Sequence, residues 1–181
     1  VSEGEGVWLF APEIGIQGAE LTASEGKLIS SDDRLAFVGA CLEDIWERRP
    51  MLAKQRLQIR ISSESFLASD GGPKLGLGSS AAVSVALLTA LEVASTPGRG
   101  PAVPSIFEAA HRAHRKAQGG VGSGLDIAAS SYGGVVAMTP ARDEGKPVCE
   151  PLNLPETLQI LPVYTGRGAS TRELVGQVNR F

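Results

Sequence analysis

With 181 residues, 43% of them apolar and 20% charged, the chain has the composition of an ordinary globular protein with room for a real core. A net charge of -3 argues against a general nucleic-acid surface or a polybasic membrane surface. Cys41 and Cys149 lie far apart without metal-ligand spacing, which fits a reduced, cytoplasmic protein, and no apolar run reaches the roughly 18 residues a spanning helix needs.

The first run, GVWLFAPEIGIQGAELTA, gives two extended segments around a Pro-Glu turn, the pattern of a hairpin. In SSDDRLAFVGACLEDIWERR, Leu35, Val38, Leu42, Ile45 and Trp46 recur at helical spacing. Asp32 or Ser31 can cap that helix and Pro50 stops it. QRLQIRISS alternates Leu57, Ile59 and Ile61 with Gln58, Arg60 and Ser62, a strand with one buried face. ESFLASDGGPK reads as loop, residues 79–95 as helix and STPGRGPAVPS as a connector, after which Ser105 starts a helix over 106–118. GGVGSG is loop, Leu125–Ser131 a short helix and GGVVAMT a strand. ARDEGKPVCEPLNLPE is irregular with room for a short strand, TLQILPVYT is a strand and ASTRELVGQVNRF a helix. Interleaved strands and helices make the class α/β or α+β, with helices on one face of a sheet.

PKLGLGSSAAVSVALLTALEV places flexible backbone directly before the most apolar helix. A helix N-terminus leaves its first N–H groups unpaired and carries partial positive charge. Glycines ahead of it let the backbone approach an anion, and Ser79 and Ser80 can bond phosphate oxygens or cap the helix. On local physics a phosphate site and a plain glycine turn before a Ser-capped helix stay equally open. The helix itself is apolar nearly all round, which predicts burial in the middle of a domain.

PKLGLGSSAA resembles the second signature of the GHMP kinases, the group of galactokinase, homoserine kinase, mevalonate kinase and phosphomevalonate kinase, in which this loop wraps the ATP phosphates. AHRKAQGGVGSGLDIAASSYGG is similar to the phosphomevalonate kinase pattern of AQG followed by GSG-x-D, with Gly122 where mevalonate kinases usually carry Pro. VYTGRGASTRELV resembles the strand, loop and helix that follow in these kinases. The three motifs occur in the family's order over roughly residues 70–175.

The resemblance implies an α+β fold: a ribosomal protein S5 domain 2-like N-terminal kinase domain over residues 1–155, then the start of a ferredoxin-like C-terminal domain over 156–181. It also implies ATP and Mg²⁺ as cofactors and a small-molecule acceptor, with phosphomevalonate expected to give diphosphomevalonate. The alternatives are mevalonate, a sugar, or a non-catalytic relative that only binds a ligand. Lys74, Gly76, Leu77, Gly78, Ser79, Ser80 and Ala81 are the implied phosphate-binding set, with Ser80 touching Mg²⁺. Asp126 is the implied catalytic base. Gly122, Ser123, Gly124, Arg115, Ser170 and Thr171 are placed on the substrate side, with Arg167 beside them. Arg112, Arg115 and Lys116 are either a solvated basic face or contacts to a substrate phosphate. His111 and His114 stand at i and i+3 without an acid or Cys nearby, so they do not read as a metal pair.

The family's N-terminal strand with a catalytic Lys has no match in GVWLFAPEIGIQ, and its C-terminal glycine loop would lie beyond Phe181. The chain also opens on Val1 rather than Met. It therefore reads as a truncated segment, expected to be inactive alone because ATP and acceptor sit between two domains in this family.

Overall fold

The computed structural model describes residues 6–24, 27–29, 32–68, 72–98, 100–141 and 146–166. Strand β1 (Gly6–Ala11) turns through a short 3-10 segment at Pro12–Ile14 into the antiparallel strand β2 (Ile16–Ser24), as the hairpin pattern predicts. Gly15 closes that turn at φ 74°, in the left-handed region where glycine carries no steric penalty. A third strand, β3 (Lys27–Ile29), pairs with β2 and was not legible in the sequence.

Helix α1 (Ala36–Arg48) buries Val38, Leu42, Ile45 and Trp46, the residues whose spacing marks it. Asp32 accepts the backbone N–H of Arg34 at 3.0 Å and caps the 3-10 turn that leads into the helix; Ser31 lies outside the described residues. Helix α1 stops at Arg48 as Pro50 predicts, with Arg49 before the proline pushed out of the helical region at φ −138° and ψ 69°, and Pro50 then opens the four-residue helix α2 (Pro50–Ala53). A proline is at home there, since the first-turn N–H groups have no helical partner. Strand β4 (Arg56–Arg60) then runs parallel to β1, completing a sheet in the order β3-β2-β1-β4.

The helical layer follows. Helix α3 spans Ser79–Ser95, α4 Val103–Ala117 and α5 Leu125–Tyr132. Helix α4 begins three residues before the position the sequence suggested, because Pro104 occupies its first turn instead of ending the connector. A separate two-stranded sheet joins β5 (Val135–Thr139) to β6 (Val148–Leu152), which gives the irregular stretch its short strand. The segment TLQILPVYT, read as a strand, forms none: Ile160, Leu161 and Val163 stand exposed and no described strand pairs with them. Alternating apolar residues make a strand only where a neighbouring edge accepts their backbone bonds.

One core joins sheet to helices. Val7, Leu9 and Ala11 of β1 and Ile59 of β4 pack with Leu42, Ile45, Leu88, Phe107 and Ile127. Each such side chain contributes about 1.5–3 kcal/mol by leaving water. Cys41 lies within this core; burial pushes its thiol up to about 12, with a smaller opposing effect from the Ser84 side chain, so it stays protonated and inert. Helix α3 is less enclosed than its composition suggests. Ala81, Ser84, Leu87, Leu88 and Leu91 are buried, but Ala86, Ala90, Val93 and Ala94 are exposed. The small residues of that open side and the outer edge of β4 line a cavity of about 570 Å³. No helix among the described residues is long and apolar enough to cross a membrane.

Candidate active site

Two glycine turns, each feeding a helix, form the site. Before α3 the chain makes a small hairpin: the Ala68 N–H donates to the Pro73 carbonyl at 3.0 Å and the Leu75 N–H to the Phe66 carbonyl at 2.8 Å. Lys74 stands exposed on it, with no ion pair among the described residues. Gly76 and Gly78 then take φ 77° and 73°, and Gly78 is the cap residue of α3. The first α-helical bond runs from the Ala82 N–H to the Gly78 carbonyl, so the N–H groups of Ser79, Ser80 and Ala81 lie ahead of the ladder and point out of the helix end. No side chain caps them, which removes the plain Ser-cap reading. Leu77 is exposed at the tip of the loop.

The Ser80 hydroxyl goes elsewhere. It lies 3.2 Å from Nε2 of His114, while the Ser80 carbonyl accepts the Ser84 hydroxyl at 2.9 Å. The second turn mirrors the first. Gly124, at φ 78°, caps α5, and Asp126 sits in that helix's first turn, where the dipole favours its anion. Its Oδ1 accepts the Ile127 N–H at 2.9 Å, and its Oδ2 is 3.8 Å from the same Nε2 of His114. The Asp126 side chain keeps 42% of its surface exposed, so Oδ2 remains open to a ligand. The two turns also touch: a side-chain carbon added at Gly78 would lie 3.7 Å from Asp126 Cβ.

The AQG and GSG motifs form one unit by contact. At Gly122, φ is 116° and an added Cβ would meet Gln118 Oε1 at 2.5 Å. Arg115 reaches the same turn, its Nε donating to the Gly120 carbonyl at 2.8 Å. Ser123 is exposed, its hydroxyl 3.4 Å from the Leu125 N–H. The remaining basic residues of α4 are tied to α1. Arg112 pairs with Asp44 at 3.0 Å and Lys116 with Glu43 at 2.7 Å. Burial opposes the Glu43 carboxylate, but Lys116 and the Leu28 N–H outweigh it and hold the carboxyl below its usual range. Arg48 adds a tie from α1 to Glu92 of α3. We expect Arg112→Gln and Lys116→Gln each to cost no more than about 1 kcal/mol in denaturant unfolding, as partly exposed pairs do. The acceptor KM should stay unchanged in both; a rise of tenfold or more would return these cations to the substrate.

His111 and His114 both titrate below the 6.5 of a free imidazole, first because burial disfavours the cation. Arg115, His114 and Arg112 lower His111 further, and Asp126 pulls both histidines part of the way back. Below pH 6.5 the unfolded chain therefore binds more protons than the folded one, so stability falls as pH drops from 6.5 toward the folded values. Thermal melts at about pH 7.5 and 5.5 should show a lower Tm at the acid end, with a smaller drop in His111→Asn.

Sequence reasoning thus located both turns and Asp126. It left His114 without a role, although position 114 shares a helical stripe with Ala110, Ala113 and Ala117 and is buried with the first two. Arg167, Ser170 and Thr171 lie outside the described residues. Among the described residues no group of three or more His, Cys, Asp or Glu side chains is placed to hold a metal ion. The oxygens of Ser80 and Asp126 gathered around one imidazole still suit a hard ion that keeps most of its shell as phosphate and water.

Known proteins match this chain. The family described as GHMP kinases N terminal domain matches residues 36–134, more than half of the chain. A mevalonate kinase of Methanothermobacter thermautotrophicus is 35% identical over 144 residues, covering 78% of this chain and 40% of that protein. A mevalonate kinase of Thermococcus gammatolerans is 29% identical over 176 residues, covering 94% of this chain and 48% of that one. A phosphomevalonate kinase of Aspergillus fumigatus is 46% identical over 63 residues, 33% of this chain and 13% of that protein. The chain thus spans less than half the length of these relatives. The solved structure of a Lin0012 protein from Listeria innocua shares the fold, with a TM-score of 0.74 at 23% identity over 99% of this chain and 54% of that one.

Proposed function

The chain belongs to the GHMP kinase family, and on that premise we propose that the full protein transfers the γ-phosphoryl group of ATP to phosphomevalonate, giving diphosphomevalonate and ADP. One observation carries the reading. The hydroxyl at an anion-binding helix end and the carboxylate at a second helix end converge on a single imidazole, at 3.2 and 3.8 Å. Phosphoryl transfer asks for little beyond such positioning and charge neutralisation.

In this reading the N–H groups of Ser79, Ser80 and Ala81 receive the ATP phosphates, and the loop glycines admit them closely. The exposed Lys74 reaches the same phosphates. Ser80, the phosphates and water would hold Mg²⁺, which when bound neutralises charge on the transferring group. An acceptor oxygen forms the new bond to Pγ as the bond from Pγ to the ADP oxygen breaks. A phosphate monoester, with its second pKa near about 6, is already largely ionised at neutral pH, so Asp126 mainly orients it. An alcohol acceptor would instead hand its proton to Asp126 Oδ2. Residues from 156 onward, with Ser170 and Thr171, would begin the domain that closes the acceptor side, so the described segment alone would be inactive.

Two features support phosphomevalonate over mevalonate. The local match to the phosphomevalonate kinase is the higher, at 46%. Gly122 sits at φ 116° against Gln118, a conformation closed to the proline usual in mevalonate kinases. The longer alignments with two mevalonate kinases favour the second reading. An ADP-release assay of the full-length protein against both acceptors decides. Turnover preferring phosphomevalonate by tenfold or more in kcat/KM is expected. A preference for mevalonate overturns the acceptor, and no turnover with either or with sugars overturns the kinase.

A further inference from the structure

We propose that His114 is a positioning residue of this site, a buried wedge whose Nε2 meets both Ser80 Oγ and Asp126 Oδ2 and holds the phosphate-side hydroxyl and the acceptor-side carboxylate in register. What the two groups do rests on the kinase reading above; the wedge itself does not. His114 is 3% exposed, and its Nε2 faces Ser80 Oγ on α3 and Asp126 Oδ2 on α5. Its ring stacks on Phe37 of α1, centroids 4.8 Å apart and planes 28° from parallel. Four helices therefore meet at one ring whose rotation is blocked by packing. Asp126 Oδ1 is occupied by the Ile127 N–H, which leaves Oδ2 as the oxygen the imidazole steers.

The charged and titratable groups around the ring are few. Helix α5 presents Asp126, α4 presents His111 one turn back, α1 presents the uncharged Phe37 and α3 the Ser80 hydroxyl. Nε2 can donate to Ser80 Oγ or accept its proton, and at 3.8 Å it meets Asp126 Oδ2 by electrostatic contact rather than by a hydrogen bond.

The test uses full-length protein with His114→Phe and His114→Gln, Mg-ATP and phosphomevalonate. Phenylalanine keeps the stack on Phe37 and loses the hydrogen bond; glutamine keeps a polar group near the place of Nε2. We expect His114→Phe to keep its Tm while kcat falls about 10- to 100-fold with KM little changed. His114→Gln should recover most of that loss. The His114 Cε1–H signal in NMR gives a readout independent of turnover. Asp126→Asn and Ser80→Ala should each shift that signal at fixed pH. Wild-type kcat in His114→Phe, or a signal indifferent to both neighbours, overturns the wedge. A signal that responds to both, in a protein inert toward every acceptor, overturns the kinase reading and leaves the wedge standing.

Discussion

Replacing Asp126 with Asn is expected to lower kcat of the full-length protein by about 100- to 10,000-fold, the range for a positioned acid–base group. Asparagine keeps the shape and can still accept the Ile127 N–H through its amide oxygen. It loses the negative charge that would orient the acceptor and receive a proton. Binding of ATP should change little, because the proposed phosphate site is the N-terminus of α3 rather than of α5. Stability should change by no more than about 1 kcal/mol, the usual size of a carboxylate–dipole term at a helix start. Steady-state kinetics beside a thermal melt would separate these effects. The size of the fall is itself informative: an ionised phosphate acceptor near pH 8 needs no base, so the loss there should lie at the low end of the range. Activity within threefold of wild type would remove Asp126 from the chemistry.

The second large effect is on the turn that presents Asp126. Gly124→Ala places a Cβ 2.3 Å from Cδ2 and 2.6 Å from Nε2 of His111, at a residue held at φ 78°. Left-handed backbone costs a non-glycine residue about 1–2 kcal/mol. Overpacking adds typically about 1–3 kcal/mol when the neighbour cannot yield. His111 is poorly placed to yield, because it stacks on Phe107 at 5.7 Å. A total destabilisation of about 2–5 kcal/mol is expected in urea unfolding. In the fraction that folds, kcat should fall as Asp126 is displaced. Gly76→Ala is the control, since φ is 77° there but nothing lies within 4 Å of an added carbon. It should cost only the backbone term, and equal costs at the two positions would show that the His111 contact does not matter.

Helices were the most legible part of this fold. The bounds of α3 and the start of α5 follow directly from glycines that cannot continue a helix beside apolar residues that can. Strand β3 was hidden because three residues carry no periodicity; it exists by pairing with β2, with the Leu28 N–H donating to Glu43 on α1 at 2.9 Å. TLQILPVYT misled in the opposite direction, having the pattern of a strand without a described partner. The open side of α3 was equally unreadable, since an alanine is apolar whether or not anything covers it.

The same division runs through the site. The sequence alone determined the two Gly-Ser turns, the helices they open and the carboxylate at the second one. These depend on backbone sterics and dipoles that act within a few residues. The tertiary structure alone decided that the Ser80 hydroxyl meets His114 of α4, and that Arg112 and Lys116 are held by acids on α1. It also brought Ser80 and Asp126, 46 positions apart in sequence, to the same Nε2 of His114. Those outcomes belong to the packing of α1, α3, α4 and α5 around a shared core, and no local pattern encodes the distance between two helices.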